Sequence, residues 1–218
     1  RVAHGHGGAA AGGPPDLEAR GRDVKKLAAL EALARHRTDE VVVTSMSVVR
    51  PWGRLSTHAL DFASADSAMG HTADFALGIA LARPERRVIC LNGDGSMLMT
   101  LGTLATAAGT RAANFVLVVV NNGTYEITGN QSVPGAGGVD FAGLASAAGF
   151  PVARTFRDAV AFDAALPELL GAEGPVLVDL HVEPEHEGPI QRGPEEAAEY
   201  LTVSLEESAR RLRLSLTG

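Results

Sequence analysis

Short runs of apolar residues alternate along the chain with longer stretches in which apolar residues recur at helical spacing. The runs are rich in β-branched side chains, which is typical of strands buried on both faces of a parallel sheet. They lie at residues 41–43, 88–91, 115–120 and 175–182, with a further short strand expected at 151–154. The predicted helices lie at residues 16–36, 72–82, 141–149 and 159–170, and another follows Ser96. This alternation predicts an α/β fold, a single domain in which helices cover both faces of a parallel sheet.

The two ends of the chain differ in composition from the part between them. Residues 1–15 are small and without periodicity, so we expect a flexible segment there. Residues 16–190 hold the predicted α/β domain. Residues 191–218 form a predicted helical tail, in which Ser204 and Glu207 have the spacing of a capping box. The tail carries an apolar stripe that would dock either on this domain or on a partner.

Two of the predicted strands lead into polar turns. One strand runs into the Gly-Asp-Gly-Ser turn at 93–96, and the next runs into Asn121 and Asn122. Glycine lets the backbone approach an anion closely, and a helix start offers free N–H groups to a phosphate. Asp94 brings a carboxylate to the same turn, so we expect a divalent cation between that carboxylate and phosphate oxygens. Neighbouring parallel strands would place Asn122 beside it at the carboxyl edge of the sheet. Each motif taken singly is more typical of a plain turn, but the two together, each at the carboxyl end of a strand, make a specific signal.

Composition narrows the class of protein. A formal net charge of −7 argues against nucleic acid or an anionic membrane as the main partner, since both require a basic face. Cys90 is the single cysteine and lies inside a predicted strand, which favours a core role and excludes a four-cysteine iron–sulfur cluster within this chain. No apolar run approaches membrane-spanning length, and we expect a cytoplasmic protein. Residues 181–187 mix histidine and glutamate without the spacing of a zinc site, and we interpret them as a solvated exit from the last strand.

The spacing of the two polar turns resembles a known motif. Gly93-Asp94-Gly95, followed by residues 96–120 and then by Asn121-Asn122, is similar to the diphosphate and metal motif of thiamin diphosphate enzymes. The similarity extends from residue 41 to residue 182 and corresponds to the diphosphate-binding domain of the decarboxylase branch. The segments most similar to phosphonopyruvate and sulfopyruvate decarboxylases are Met69-Gly70-His71, Leu98-Met99 and Gly129-Asn130-Gln131.

The resemblance implies two cofactors, thiamin diphosphate and Mg²⁺. The cation would be held by Asp94, Asn122 and the backbone carbonyl of Thr124. Ser45 would offer its hydroxyl to the diphosphate, although Met46 departs from the hydroxyl expected beside it, and Thr44 and Ser47 are weaker candidates. The carbonyl of Ser67 would accept a hydrogen bond from the 4'-amino group of the cofactor. The other implied cofactor-binding residues are Met69, Gly70, Gly93, Gly95, Ser96 and Tyr125.

Three residues are candidates for catalytic roles. By resemblance, Met69 would be the apolar prop that keeps the cofactor folded, although a methionine before a helix is also typical of core filling. His71 would reach the diphosphate or the substrate, and a structural role fits it equally well. Glu126 would contact the substrate, and a solvated glutamate is the competing interpretation.

The family resemblance also implies a partner. Thiamin diphosphate enzymes use a second domain that grips the aminopyrimidine and supplies a glutamate. We expect this domain on a separate pyrimidine-binding subunit, so that the chain is the diphosphate-binding subunit of a hetero-oligomeric 2-oxo acid decarboxylase. The alternatives are an acetolactate synthase-like carboligase, a 2-oxo acid oxidoreductase, and a non-catalytic subunit that binds the cofactor.

Overall fold

Residues 24–64 and 69–217 are described in a computed structural model of the protein. Within these ranges the strands are β1 (Val41–Thr44), β2 (Asp61–Ala63), β3 (Val88–Gly93), β4 (Phe115–Asn121), β5 (Thr124–Tyr125), β6 (Gln131–Ser132), β7 (Val152–Phe156) and β8 (Val176–His181). The α-helices are α1 (Lys26–His36), α2 (Val49–Leu55), α3 (Thr72–Ala82), α4 (Asp94–Met99), α5 (Gly102–Thr110), α6 (Phe141–Ala148), α7 (Ala159–Gly171) and α8 (Leu205–Thr217).

Six of these strands form one parallel sheet in the order β2-β1-β3-β4-β8-β7. The central strands β3 and β4 are in register from Val88 opposite Phe115 to Gly93 opposite Val120. Because neighbouring parallel strands end at the same edge, the turns after β1, β3 and β4 emerge side by side. The short strands β5 and β6 form a separate antiparallel hairpin directly after β4.

The sheet separates two hydrophobic clusters, since alternate strand residues point to opposite faces. Val41, Cys90 and Leu117 pack with α3, α5 and α6, whereas Val42 and Ile89 pack with α1 and α7 on the other face. Burial raises the pKa of the Cys90 thiol. The predicted α/β fold with helices on both faces is therefore confirmed, and so is the core position of this cysteine.

Several local predictions differ from the structure. Neither β2 nor α2 was predicted, because β2 is a short edge strand and α2 contains Pro51 and Gly53, which disfavour helices. The predicted helix at 16–36 begins at Lys26 within the described residues. The helix expected after Ser96 is two helices, α4 and α5, and the break between them leaves Met99 53% exposed.

The C-terminal tail packs on this domain. Ala198 and Leu201 are buried against Val49 of α2 and Ala63 of the edge strand β2. The hydroxyl group of Tyr200 donates to the Val49 carbonyl. The tail therefore covers the β2 edge of the sheet. Across the described ranges, no helix has the length and hydrophobicity needed to cross a bilayer.

The helix α8 opens with the predicted cap. Ser204 Oγ accepts a hydrogen bond from the N–H of Glu207 at 3.1 Å, as the capping-box spacing predicts. One turn further on, Leu212 is buried and joins the cluster that includes α3 and α5. The apolar stripe predicted in the tail therefore docks at least partly on this domain.

Candidate functional site

A cavity of about 270 Å³ opens at the carboxyl edge of the sheet. Its walls come from the turns after β1, β3 and β4 and from the segment that precedes α3. The predicted site residues that line it are Met69, Gly93, Asp94, Gly95, Ser96, Asn122, Thr124, Tyr125 and Glu126. A groove of about 370 Å³ beside the edge strand β2 contains none of them. Residues far apart in the sequence thus meet at one place, as the strand pattern predicted.

Asp94 is the buried acid of this cavity. It is the first residue of α4 and only 4% exposed. Its Oδ2 accepts a hydrogen bond from the backbone N–H of Gly123 at 2.9 Å, which joins the turn after β3 to the turn after β4. Burial raises the pKa of Asp94 to about 6, and the N–H groups of Gly95 and Gly123 partly oppose this increase. A cation beside the carboxylate would offset the desolvation of its charge.

Asn122 is the buried amide of the cavity. Its Oδ1 accepts from the backbone N–H of Thr124 at 3.0 Å, and its Nδ2 donates to Oε2 of Glu126 at 2.7 Å. Thr124 begins the hairpin, and its hydroxyl donates to Oδ1 of Asn130 at 2.7 Å. The three predicted metal ligands therefore lie on two adjoining turns. Their ligand roles stay predictions.

The two glycines of the turn after β3, Gly93 and Gly95, have different surroundings. A Cβ on Gly93 would meet no other atom within 4 Å, so its backbone faces open space. A Cβ on Gly95 would overlap the ring of Tyr125, so this position has to be glycine for the ring to pack there.

The turn before α3 is held against the same region by two contacts. Gly70 has a φ of +87°, which favours glycine. Its N–H donates to the hydroxyl of Ser96 at 2.9 Å, and its carbonyl accepts from the hydroxyl of Thr100. These contacts fix Met69 at the wall of the cavity.

Four candidate residues described by the structure lie outside the cavity lining: Thr44, Ser45, Gly70 and His71. The hydroxyl of Thr44 is buried and contacts the hydroxyl of Tyr200 at 3.1 Å. The hydroxyl of Ser45 is buried and donates to Oδ1 of Asn92 at 3.1 Å, whereas Ser47, from the same loop, does line the cavity. His71 is exposed and pairs with Asp74 through its Nδ1 at 2.8 Å. Their contacts with a cofactor or substrate stay predictions. Ser67 lies outside the described residues.

The solvated interpretation of Glu126 is wrong. This side chain is 4% exposed, and its Oε1 and Oε2 lie 2.8 and 3.1 Å from Nζ of Lys26. The segment after β8 is partly solvated, as predicted, with Pro184 and His186 exposed. Its N–H at Glu187 nevertheless donates to Oε1 of Glu126 at 3.2 Å. Sequence reasoning missed Lys26 altogether, since a lysine within a predicted amphipathic helix is normally solvated.

The donor set fits Mg²⁺ bound together with a phosphate. One carboxylate, one amide oxygen and a backbone carbonyl are hard oxygen ligands, and Mg²⁺ commonly completes its octahedral shell with phosphate oxygens. Within residues 24–64 and 69–217, no group of three or more His, Cys, Asp or Glu side chains forms a metal site. A cation here would therefore depend on oxygens from its anionic ligand. Fold and cavity together define an α/β domain with oxygen ligands and a glycine turn gathered at the carboxyl edge of its sheet, the chemistry expected of a phosphate-binding domain.

Comparison with known proteins identifies the family. Residues 45–180 match the model of the thiamine pyrophosphate enzyme C-terminal TPP-binding domain. The chain belongs to this family, and the resemblance inferred from the Gly-Asp-Gly and Asn-Asn motifs is confirmed.

Individual proteins similar to this chain include several decarboxylases. The beta subunit of sulfopyruvate decarboxylase from Methanothermobacter thermautotrophicus is 40% identical over 116 residues, which cover 53% of this chain and 59% of the relative. Phosphonopyruvate decarboxylase from Streptomyces viridochromogenes is 38% identical over 117 residues, 54% of this chain and 29% of the relative. The structure of a thiamine diphosphate-dependent 4-hydroxybenzoylformate decarboxylase from Rhodococcus jostii superposes with a TM-score of 0.62 and 26% identity, over 77% of this chain and 34% of that one. The chain thus spans only part of each relative.

Proposed function

We propose that this chain is the diphosphate-binding subunit of a two-subunit, thiamin diphosphate-dependent 2-oxo acid decarboxylase of the sulfopyruvate or phosphonopyruvate type. One observation carries the proposal: Asp94 and Asn122, at the ends of the two central strands, line a single cavity in a domain of this family. The sulfopyruvate and phosphonopyruvate decarboxylases among its relatives support the reaction class.

Each part of the cavity has a role in this proposal. Asp94, Asn122 and the carbonyl of Thr124 would hold Mg²⁺, and the open backbone at Gly93 would leave room for the diphosphate. Met69 would support the middle of the cofactor from the cavity wall. When bound, thiamin diphosphate supplies a nucleophilic carbon for the 2-oxo acid and a sink for the electrons released with CO₂. A cation held by these residues would serve as a template for the diphosphate and would not act at the reacting carbon.

The proposal includes a second, pyrimidine-binding chain that supplies the catalytic glutamate. Met99 lines the cavity and is 53% exposed, and Leu101 beside it is also exposed. These side chains offer apolar surface that a partner would cover. A relative that is itself named a beta subunit supports a hetero-oligomer.

Calorimetric titration tests the proposal. Thiamin diphosphate is titrated with Mg²⁺ into this chain alone and into its mixture with the product of the neighbouring gene. We expect Mg²⁺-dependent binding that Asp94→Ala abolishes, and CO₂ release from sulfopyruvate or phosphonopyruvate by the mixture. Absence of binding in both samples would refute the cofactor role. Binding with condensation of two 2-oxo acids would reassign the chain to a carboligase.

A further inference from the structure

Lys26 is a buried cation at the first turn of α1. Its side chain is 1% exposed, whereas lysine is almost never fully buried unless it is paired. Its Nζ contacts both oxygens of Glu126 and lies 3.3 Å from Oε2 of Glu185. Burying such a pair costs desolvation free energy, so an ion pair of this kind is weak evidence for stability alone. The position of Glu126 suggests a different use.

The carboxylate of Glu126 joins three segments of the chain. Its Oε1 accepts from Lys26 on α1 and from the N–H of Glu187 after β8. Its Oε2 accepts from Nδ2 of Asn122 at 2.7 Å, at the end of β4. Glu126 lines the cavity, but both of its oxygens are engaged inside the chain, and its link to the predicted metal ligands is the hydrogen bond from Asn122.

The hydrogen bond between Asn122 and Glu126 fixes the orientation of the Asn122 amide. An amide has a donating NH₂ and an accepting oxygen, whereas a carboxylate paired with lysine only accepts. Glu126 therefore takes the NH₂ group. Oδ1 of Asn122 remains turned to the N–H of Thr124, at 3.0 Å, as an acceptor. A rotated amide would instead present N–H groups, which repel a cation.

We propose that Lys26 and Glu126 are a positioning pair that fixes the oxygen of Asn122 as a ligand for the cation. The inference rests on the proposed function, because it concerns the Mg²⁺ that holds the diphosphate. The affinity of the site for Mg²⁺ then depends on a lysine that lies 100 positions from its partner. Neither Lys26 nor Glu126 touches the reacting atoms in this arrangement.

Two substitutions of Glu126 separate the hydrogen bond from the charge. Glu126→Leu removes the acceptor, whereas Glu126→Gln keeps one accepting oxygen for Asn122 and leaves Lys26 paired with Glu185. At saturating thiamin diphosphate, we expect the Mg²⁺ concentration for half-saturation to rise about tenfold or more in Glu126→Leu, the size typical of lost outer contacts to a metal ligand. Glu126→Gln should recover most of that loss.

The lysine has a matched control next to it. Lys25 pairs with Glu183 on the surface, and its side chain is 68% exposed. Lys26→Met should weaken Mg²⁺ binding because the carboxylate is no longer held, whereas Lys25→Met should leave it unchanged. If Glu126 acted only through its negative charge, loss of Lys26 would tighten Mg²⁺ binding, and that result would overturn the proposal.

Stability is measured separately from binding. Thermal unfolding of the cofactor-free variants reports how much the Lys26–Glu126 pair contributes to stability. The series includes the double variant Lys26→Met/Glu126→Gln, which removes both charges. A lower melting temperature with an unchanged Mg²⁺ requirement in the folded protein would reduce the pair to a structural role and overturn the inference.

Titration of the wild type distinguishes failure of the proposed function from failure of this inference. Titrations use this chain alone, or its complex with the partner if binding requires one. Absence of Mg²⁺-dependent binding by the wild type would overturn the proposed function and this inference with it. Binding by the wild type together with an identical Mg²⁺ requirement in Glu126→Leu would overturn this inference alone.

Discussion

Asp94→Asn should stabilise the cofactor-free protein while abolishing the function of its site. Burial raises the pKa of Asp94 from 3.8 to about 6. The folded chain therefore binds this proton more tightly than the unfolded chain, and the ionised carboxylate destabilises the folded state at neutral pH. A shift of about two units, at 1.36 kcal/mol each, corresponds to about 3 kcal/mol. Asparagine keeps an oxygen for the N–H of Gly123 but carries no charge.

The expected increase in the free energy of unfolding of Asp94→Asn depends on pH. Above pH 6 the free energy of unfolding of the variant should exceed that of the wild type by up to about 3 kcal/mol. The difference should shrink as the pH falls from 6 towards 3.8 and vanish below that, because wild-type Asp94 is then protonated in both states. The same variant should lose Mg²⁺-dependent binding of thiamin diphosphate, since the carboxylate is the one charged ligand proposed.

Urea unfolding measures the difference in free energy of unfolding between Asp94→Asn and the wild type at pH 7 and pH 4.5, with EDTA present so that no divalent cation is bound. Trp52 is the single tryptophan and is buried, so its fluorescence reports unfolding. Asp158→Asn is the matched control, because Asp158 is exposed and caps α7 through the N–H of Ala161, and asparagine caps equally well. A variant of Asp94 that is less stable than the wild type at pH 7, or a gain that is the same at both pH values, would refute the reasoning.

Three further substitutions test the packing of the site and of the tail. Gly95→Ala should destabilise the protein by about 1–3 kcal/mol, because its Cβ overlaps the Tyr125 ring; unfolding and binding equal to the wild type would contradict this. Met69→Gly should lower turnover of the reconstituted complex more than calorimetric affinity for thiamin diphosphate, and unchanged turnover would remove its role as a prop. Gly53→Ala should loosen the tail, because its Cβ overlaps Ala198. Tail residues 191–217 should then be cleaved faster in limited proteolysis, and wild-type resistance would count against that contact.

Much of the fold and part of the site could be predicted because the signals are local. The buried strands are continuous apolar runs, and α3 begins and ends at the predicted residues, Thr72 and Ala82. Asp94 and Asn122 follow the two central strands directly, so strand order alone brings them together. The edge strand β2 has no such signal, because three residues at the margin of a sheet need no apolar run.

The roles of individual side chains depended on distant contacts. Met99 has the helical spacing of a core residue, yet the break between α4 and α5 turns it outward to the cavity. Ser45 follows its strand as a cofactor-binding hydroxyl would, yet its hydroxyl binds Asn92. Neither outcome follows from periodicity. The periodicity shows which residues share one face of a helix or strand, but not which other part of the chain packs against that face.

The sequence by itself determined the α/β class, the family and the two turns of the candidate site, because strand periodicity and turn chemistry are properties of neighbouring residues. Only the tertiary structure decided that Glu126 is buried and that Lys26 is its partner. A charged residue carries the same sequence signal whether it is solvated or paired. Its environment is set by the packing of α1 and the segment after β8 around the end of β4, and such packing joins residues that no local pattern connects.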